Sequence, residues 1–432
     1  MNIGIIIGRI GGVDGVALET GKWIEVLKTI GHSVYTLSGQ YQERPMDRAT
    51  ETILPEMSFS SPESFWSQKR AFFFPESDPG ELISHVRHHA FALQKKIEHW
   101  IADHHIDLLI SENASSLPSH LEMGLAIKQV VQHLGIPTIT HDHDFAWDRG
   151  DRYISSHPEI NRFVEEVFPL RASNAIHAVI NSHSAAILKE KFGRDAILVP
   201  NVMDFTKPFG NRNSTNESLV AHLGFEEDDI LLFQITKILR RKGIDVAIRL
   251  IDALHDPKVK LVVTGNYPDD AGSAYYTELI NLIHELRLGQ RVIFAAHLFH
   301  RQGFSSKGDE MLYSLSDAYA CATACTYFSS YEGFGNAFLE AVLAKKPVFV
   351  NNYEPVFMPD IGSKGFKTVM IEHSNLTDEA VRDVADIIYN PAKAKEMADY
   401  NFELGKKYFS YDTLKQKLPL IIEMAGKSAG HH

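Results

Sequence analysis

A chain of 432 residues with 44% hydrophobic content is long enough for two or three domains, each with a substantial core. Its formal net charge of −12 argues against a nucleic-acid binder, which would present a basic face. Two cysteines, Cys321 and Cys325, are too few for a disulfide framework; they read as core-facing thiols and fit a reducing compartment.

The chain opens on an apolar strand, Ile3–Ile7, with no charged region ahead of a long apolar run, so no signal peptide is expected. No apolar stretch reaches the roughly 18 residues a bilayer span needs, and a cytoplasmic location without integral membrane contact is expected. Strands then alternate with helices: Ser33–Leu37, Asp107–Ile110, Pro137–Thr140, Ala175–Asn181 and Ala196–Pro200 as strands, with helices at Val16–Ile30 and Pro118–Leu134. Residues 40–105 are less regular, rich in aromatics (Phe65, Trp66, Phe72, Phe73, Phe74), and their position makes them candidates for acceptor contact. His85 and His89 share a helical face at a spacing that suits either a metal or plain surface histidines. A polar stretch from Phe205 to Glu226, with Lys207-Pro-Phe-Gly-Asn-Arg-Asn-Ser-Thr-Asn, reads as a linker. Alternation restarts at Ile230–Thr236 and continues with Leu261–Thr264, Val292–Ala296, Thr326–Ser329 and Pro347–Asn351, and a last helix is expected near Tyr411–Met424. This is α/β patterning, with two doubly wound, Rossmann-like domains at 1–205 and 206–405 and a tail at 406–432.

Four segments carry chemistry. After the first strand comes Gly8-Arg9-Ile10-Gly11-Gly12-Val13-Asp14-Gly15, a glycine turn that lets backbone approach a phosphate or sugar, or is simply a tight turn. The second strand ends in Thr36-Leu37-Ser38 without an acidic residue, which lowers a dehydrogenase reading. At the exit of Pro137–Thr140 stands Thr140-His141-Asp142-His143-Asp144-Phe145-Ala146-Trp147-Asp148-Arg149-Gly150-Asp151-Arg152, too polar a cluster for packing alone. Its Asp142-His143-Asp144 also reads as a metal-binding D-x-D. At the start of the second domain, Lys237 and Arg240-Arg241-Lys242-Gly243 can neutralise a diphosphate leaving group without a metal. Last, Glu332-Gly333-Phe334-Gly335-Asn336-Ala337-Phe338-Leu339-Glu340 turns from a strand into a helix, a turn that presents backbone N–H groups to an anion between two carboxylates.

The Glu332…Glu340 segment resembles the E-x7-E signature of retaining family-4 glycosyltransferases, which adopt the GT-B fold, two Rossmann-like domains facing across a cleft with a C-terminal helix crossing back to the first. Lys242 matches that family's lysine, and Lys237 stands where its arginine is usual, which trades a bidentate fork for a point charge. Gly11-Gly12-Val13 is similar to the family's Gly-Gly-Val loop; Pro200-Asn201-Val202-Met203-Asp204 matches its domain-junction stretch only in part, lacking a glycine. The polar string through Trp147 looks like a subgroup that includes mannosylglucosylglycerate synthases, whose acceptor carries a carboxylate.

The resemblance implies transfer of a hexose, glucose or mannose, from a nucleoside-diphosphate sugar to a hydroxyl of a small polar or saccharide acceptor, with retention and no essential metal or other cofactor. Catalytic roles fall to His143, Glu332 and Lys242, with His141 a close second match to the family's histidine. Donor contacts fall to Gly12, Lys237, Lys242, Gly265, Glu332, Gly333, Phe334, Gly335 and Glu340, the last for the ribose, with the base near His297-Leu298-Phe299. Acceptor contacts fall to Arg9, Asn113, His141, Asp144, Trp147, Arg149 and Arg152; from its residues alone Asn113 reads first as a helix cap. Alternatives are a GT-B-fold sugar-nucleotide epimerase and a non-catalytic nucleotide-sugar-binding protein.

Overall fold

Seven parallel strands make the first sheet: β1 (Asn2–Ile7), β2 (Ser33–Ser38), β3 (Glu51–Ile53), β4 (Leu108–Glu112), β5 (Thr138–Asp142), β6 (Ala175–Val179) and β7 (Ala196–Leu198). Their order is β3-β2-β1-β4-β5-β6-β7. Helices α1 (Gly15–Thr29), α2 (Pro62–Phe72), α3 (Pro79–Asp103), α4 (Leu121–Leu134), α5 (Pro158–Val167) and α6 (Ser182–Phe192) connect them. This is a computed structural model, and it describes all residues apart from 13, 43–45, 268–269, 300–312 and 430–432, with no side chains at 270–272.

The second sheet has six parallel strands, β8 (Ile230–Gln234), β9 (Val259–Val263), β10 (Val292–Phe294), β11 (Ala324–Tyr327), β12 (Val348–Asn351) and β13 (Val369–Ile371), in the order β10-β9-β8-β11-β12-β13. Around it lie α7 (Leu219–His222), α8 (Ile244–Ala253), α9 (Asp270–Glu285), α10 (Leu315–Cys321), α11 (Asn336–Leu343), α12 (Asp378–Ile388) and α13 (Pro391–Phe409). The last helix, α14 (Tyr411–Ala429), closes the chain. Two units result, residues 1–201 with 412 onward, and 202–411. The division falls after Asn201, where the sequence reading put it after 205, and the return begins at Asp412 in place of 406.

Central strands β4, β5, β11 and β12 are buried along their whole length, as parallel strands covered by helices on both faces must be. That is why β4 and β12 read largely as apolar runs, whereas β5, Thr138-Ile139-Thr140-His141-Asp142, buries polar side chains that find partners on its neighbours. The edge strands β3 and β13, three residues each, are too short to stand out in the sequence and were not foreseen. Each unit has its own core: Val86, Ile97, Trp100 and Val130 lie in one, Ile244, Leu250, Leu261 and Phe349 in the other. Both cysteines are buried and unpaired by disulfide.

In each sheet the winding reverses once, between β1 and β4 and between β8 and β11. Loops leaving the carboxyl ends of strands at such a reversal diverge and leave a crevice, the usual ligand position in this architecture. The glycine loop after β1 and Glu112-Asn113 after β4 stand at the first reversal. The basic loop after β8 and the Glu332 turn after β11 stand at the second.

Candidate active site

At the second reversal three loops converge. Gln234 ends β8, and its side chain donates to Lys242 O at 2.7 Å while accepting from Thr326 Oγ1 on β11 at 3.0 Å. The Ser330 N–H donates to Arg241 O at 2.7 Å and Arg241 Nη1 to Tyr331 O at 2.9 Å, stitching the basic loop to the glutamate turn. Gly243, at φ 63°, enters α8 from the left-handed region, and a Cβ there would run into Phe328 O. Gly265, after β9, lies against Thr236 O with no room for a side chain, and Ile238 N–H donates to Asn266 O at 3.0 Å.

These bonds put Glu332 between two cations. Its carboxylate is ion-paired with Lys242 Nζ through one oxygen and with Arg241 Nη1 through the other, the latter at 3.1 Å, with 11% of the side chain exposed. Burial alone would push the Glu332 carboxyl up, but Lys242 and Arg241 outweigh it and hold it below the usual range. Lys242 is also lowered, first by burial and then by the like charges of Arg241 and Lys237, against the pull of Glu332. Lys237, exposed, is thus near enough to act on Lys242. Gly335 holds φ 138° ahead of α11, where a Cβ would strike Tyr353 Oη; that hydroxyl donates to Phe334 O at 2.7 Å and fixes the turn. Glu340, one helix face on, accepts from Tyr319 Oη at 2.9 Å. Arg240 points away, to Glu278 at 2.5 Å and over the Tyr275 ring.

The first reversal opens into a pocket of about 640 Å³, lined in part by Arg9, Asn113, Asp144, Arg149 and Arg152. Arg9 pairs with Asp14 at 2.6 Å, and Asp14 caps α1 by accepting from Val16 N at 2.8 Å. Asn113 holds φ 51°, and its carboxamide is engaged within the protein: Oδ1 accepts from His143 N at 3.0 Å and Nδ2 donates to Asp144 Oδ1 at 2.7 Å. It joins the exit of β4 to that of β5 and caps no helix. Asp144 also pairs with Arg149. Arg152 is exposed. Gly11 and Gly12, at φ 89° and 74°, turn the loop as expected of glycines, and Gly11 lies against Gln42 O. Val13 lies outside the described residues.

Strand pleating separates the polar string of β5 by face. Thr140 and Asp142 point to β6, where Asp142 Oδ2 meets His177 Nδ1 at 3.0 Å and Thr140 Oγ1 at 2.7 Å. His141 points the other way, directly opposite Glu112 on β4, with Nδ1 at 2.9 Å from Glu112 Oε2. It is fully buried and stacks on Trp23 at 3.9 Å. His143 Nε2 lies 3.8 Å from the same carboxylate. Asp142 and Asp144 therefore have separate partners and do not form a D-x-D cation site. Among the described residues the metal-compatible group is instead Glu112, His141 and His143, whose ligand atoms lie within 4.8 Å of one another. Burial drives Glu112 up, against the pull of His143. Burial also pushes His141 down, to about 4, although Glu19 and Asp142 oppose it. Glu112 and His141 thus share one buried hydrogen bond, with His143 beside them.

Trp147 is not in the pocket lining: it stacks on Phe145 at 4.4 Å, beside Phe192, in a small satellite core. His141, behind Trp23, is not at the surface either. His85 lies tilted against both His89 and Trp66, ring centroids 4.3 and 4.1 Å away, in an aromatic cluster that the group of metal-compatible residues does not include. Sequence reasoning gave Glu112 no role, did not single out Lys69 of α2, and counted Arg241 in the basic cluster without its pairing to Glu332. Only the β4–β5 register reveals the first, and α2 lies in the stretch without periodicity.

Residues 216–404 match the family described as "Glycosyl transferases group 1". Along 97% of its length the chain is 28% identical to mannosylglucosylglycerate synthase of Thermotoga maritima, covering 99% of that protein. A second mannosylglucosylglycerate synthase, from Petrotoga mobilis, is 26% identical over 95% of this chain and 98% of its own. The chain has the GT-B fold, and its residues 216–404 carry the group 1 glycosyltransferase domain. Among solved structures this chain is similar to HepE of Anabaena in complex with UDP and glucose, with a TM-score of 0.66, 15% identity and 98% and 100% of the two chains covered. Sucrose-phosphate synthase of Thermosynechococcus elongatus gives a TM-score of 0.66 at 14% identity over 99% of each chain. No helix among the described residues of this chain is long and apolar enough to cross a membrane.

Proposed function

We propose that the enzyme is a retaining, family-4, metal-independent hexosyltransferase of the cytoplasm that acts on a small polar or saccharide acceptor. The observation that carries this reading is the buried Glu332 held by Lys242 and Arg241 at the sheet reversal of the second unit. In it, Lys237, Lys242 and the backbone amides of Phe334 and Gly335 hold the diphosphate and stabilise the charge left on it as the glycosidic bond breaks. Glu332 binds hydroxyls of the donor sugar and Glu340 the ribose, with Gly12, Gly265 and Gly333 as further donor contacts; His143 completes the catalytic set. The leaving phosphate takes the acceptor proton on the same face. Two relatives named mannosylglucosylglycerate synthase favour a mannosyl donor and a sugar acid as acceptor.

A thermal-shift screen against UDP-, GDP- and ADP-sugars and their diphosphates tests the donor site, since a ligand of the native state raises the melting temperature with concentration. A selective rise with one nucleotide is expected; no rise with any at millimolar concentration would defeat the reading. Transfer is expected to survive excess chelator. Loss that added divalent ion restores would instead point to a metal on Glu112, His141 and His143.

A further inference from the structure

Helix α2 contributes the side chains of the first-unit pocket that nothing so far has used. Its inner face is small: Ser64, Ser67 and Ala71 are buried, so the helix sits close to its neighbours. Gln68 Nε2 donates to Pro118 O at 2.6 Å, and Phe72 meets Tyr153 edge-on at 5.4 Å, which fixes its rotation. The outer face then turns Phe65 and Lys69 into the pocket, with Phe73 just beyond the helix and Phe59 just before it. The Phe59 ring lies on Gly8, where any Cβ would overlap it. Phe59, Phe65 and Phe73 are exposed despite lining a concave site.

Charge in this pocket does not balance. Arg9 is paired with Asp14 and Arg149 with Asp144, while the buried Glu112 has its carboxyl on His141. Lys69 and Arg152 have no carboxylate partner among the described residues; Lys69 Nζ sits 5.2 Å from the Phe65 ring and Arg152 lies over Tyr153. Two unneutralised cations beside exposed aromatic faces form a site for a hydroxylated body that carries an anionic group.

Resting on the transferase reading, we propose that α2 is the acceptor-specificity element, with Lys69 the residue that selects an anionic acceptor and Phe65 a wall against which its sugar body packs. Arg152 shares the anion; Arg149, committed to Asp144, does not.

The test compares glucosylglycerate with its carboxamide as acceptors, using the donor identified by thermal shift. For Lys69→Met, the KM for the acid is expected to rise about 10- to 100-fold, the loss of one charged hydrogen bond, with little change for the carboxamide. Lys69→Arg should restore most of the preference. The melting-temperature rise with donor nucleotide, set by the other unit, should be the same in all variants; its absence in the wild type would fail the transferase reading and not this one. Equal losses on acid and carboxamide, or none on either, would overturn the role of Lys69. Sedimentation of the protein with anionic lipid vesicles, abolished by Phe65→Ala, would overturn it in favour of a lipid-bearing acceptor.

Discussion

Each sheet reversal carries one buried glutamate, and the two are treated in opposite ways. Glu332, between Lys242 and Arg241, is held ionised. Glu112, facing His141 and with Glu19 nearby, is pushed toward its neutral form. Burial is common to both, so the neighbours decide the charge state. A carboxylate fixed among cations suits a diphosphate-bearing donor, whose own anion takes over the cations when it binds. A carboxyl whose ionised form is opposed by burial, facing the buried His141, suits uncharged hydroxyls.

Removing the second-unit glutamate should have the largest effect. Glu332→Ala is expected to lower kcat/KM by at least about 10²-fold, while denaturant unfolding stays cooperative. It should also destabilise the second unit by roughly 3 kcal/mol, because Lys242 is left buried without its partner. Normal turnover in this variant would sink the site assignment.

The turn that positions Glu332 is next. Gly335→Ala puts a Cβ at φ 138° and against Tyr353 Oη, and about 2–3 kcal/mol of stability loss is expected in urea titrations, with donor affinity falling alongside.

The pH response should separate the two units. His141, at about 4 against an ordinary 6.5, refuses a proton that the unfolded chain accepts. Its contribution to first-unit stability is therefore complete above pH 6.5 and is lost as the pH falls toward 4, on the order of 3 kcal/mol in all. Glu332 acts lower: its contribution is present above the ordinary glutamate value of 4.5 and is lost as pH falls through its depressed one. Melting curves at pH 7, 5.5 and 4 should show the first unit weakening before the second, and His141→Gln should flatten that difference. Smallest is Glu112→Gln. Because the raised value means the ionised form opposes folding, stability at pH 8 should stay level or rise. A loss as large as that of Glu332→Ala would show Glu112 to be an ionised partner after all.

Much of this was legible in the amino-acid order. The apolar runs of β1, β4 and β8 announce two parallel sheets because strands covered on both faces are largely apolar. Glycines betray the turns for a reason equally local: Gly243 and Gly335 occupy backbone conformations that side chains resist. What misled was polarity without direction. Trp147 and His141 sit in the most polar string of the chain, yet one packs on Phe145 and the other behind Trp23. Asp142 and Asp144 are two apart in sequence and serve different partners, because β5 ends between them.

By itself the sequence determined the fold class, the loops that carry chemistry, and the pairing of a basic cluster with a glutamate turn. These follow from periodicity, from backbone sterics and from residue chemistry, all local properties. Only the tertiary structure decided which charges neutralise one another. That depends on strand register, which sets Glu112 opposite His141, and on loop stitching, which sets Glu332 between Lys242 and Arg241 while Lys69 and Arg152 keep their charge. Electrostatic partnership acts through space, between residues that may stand ninety positions apart, and chain order carries no record of it.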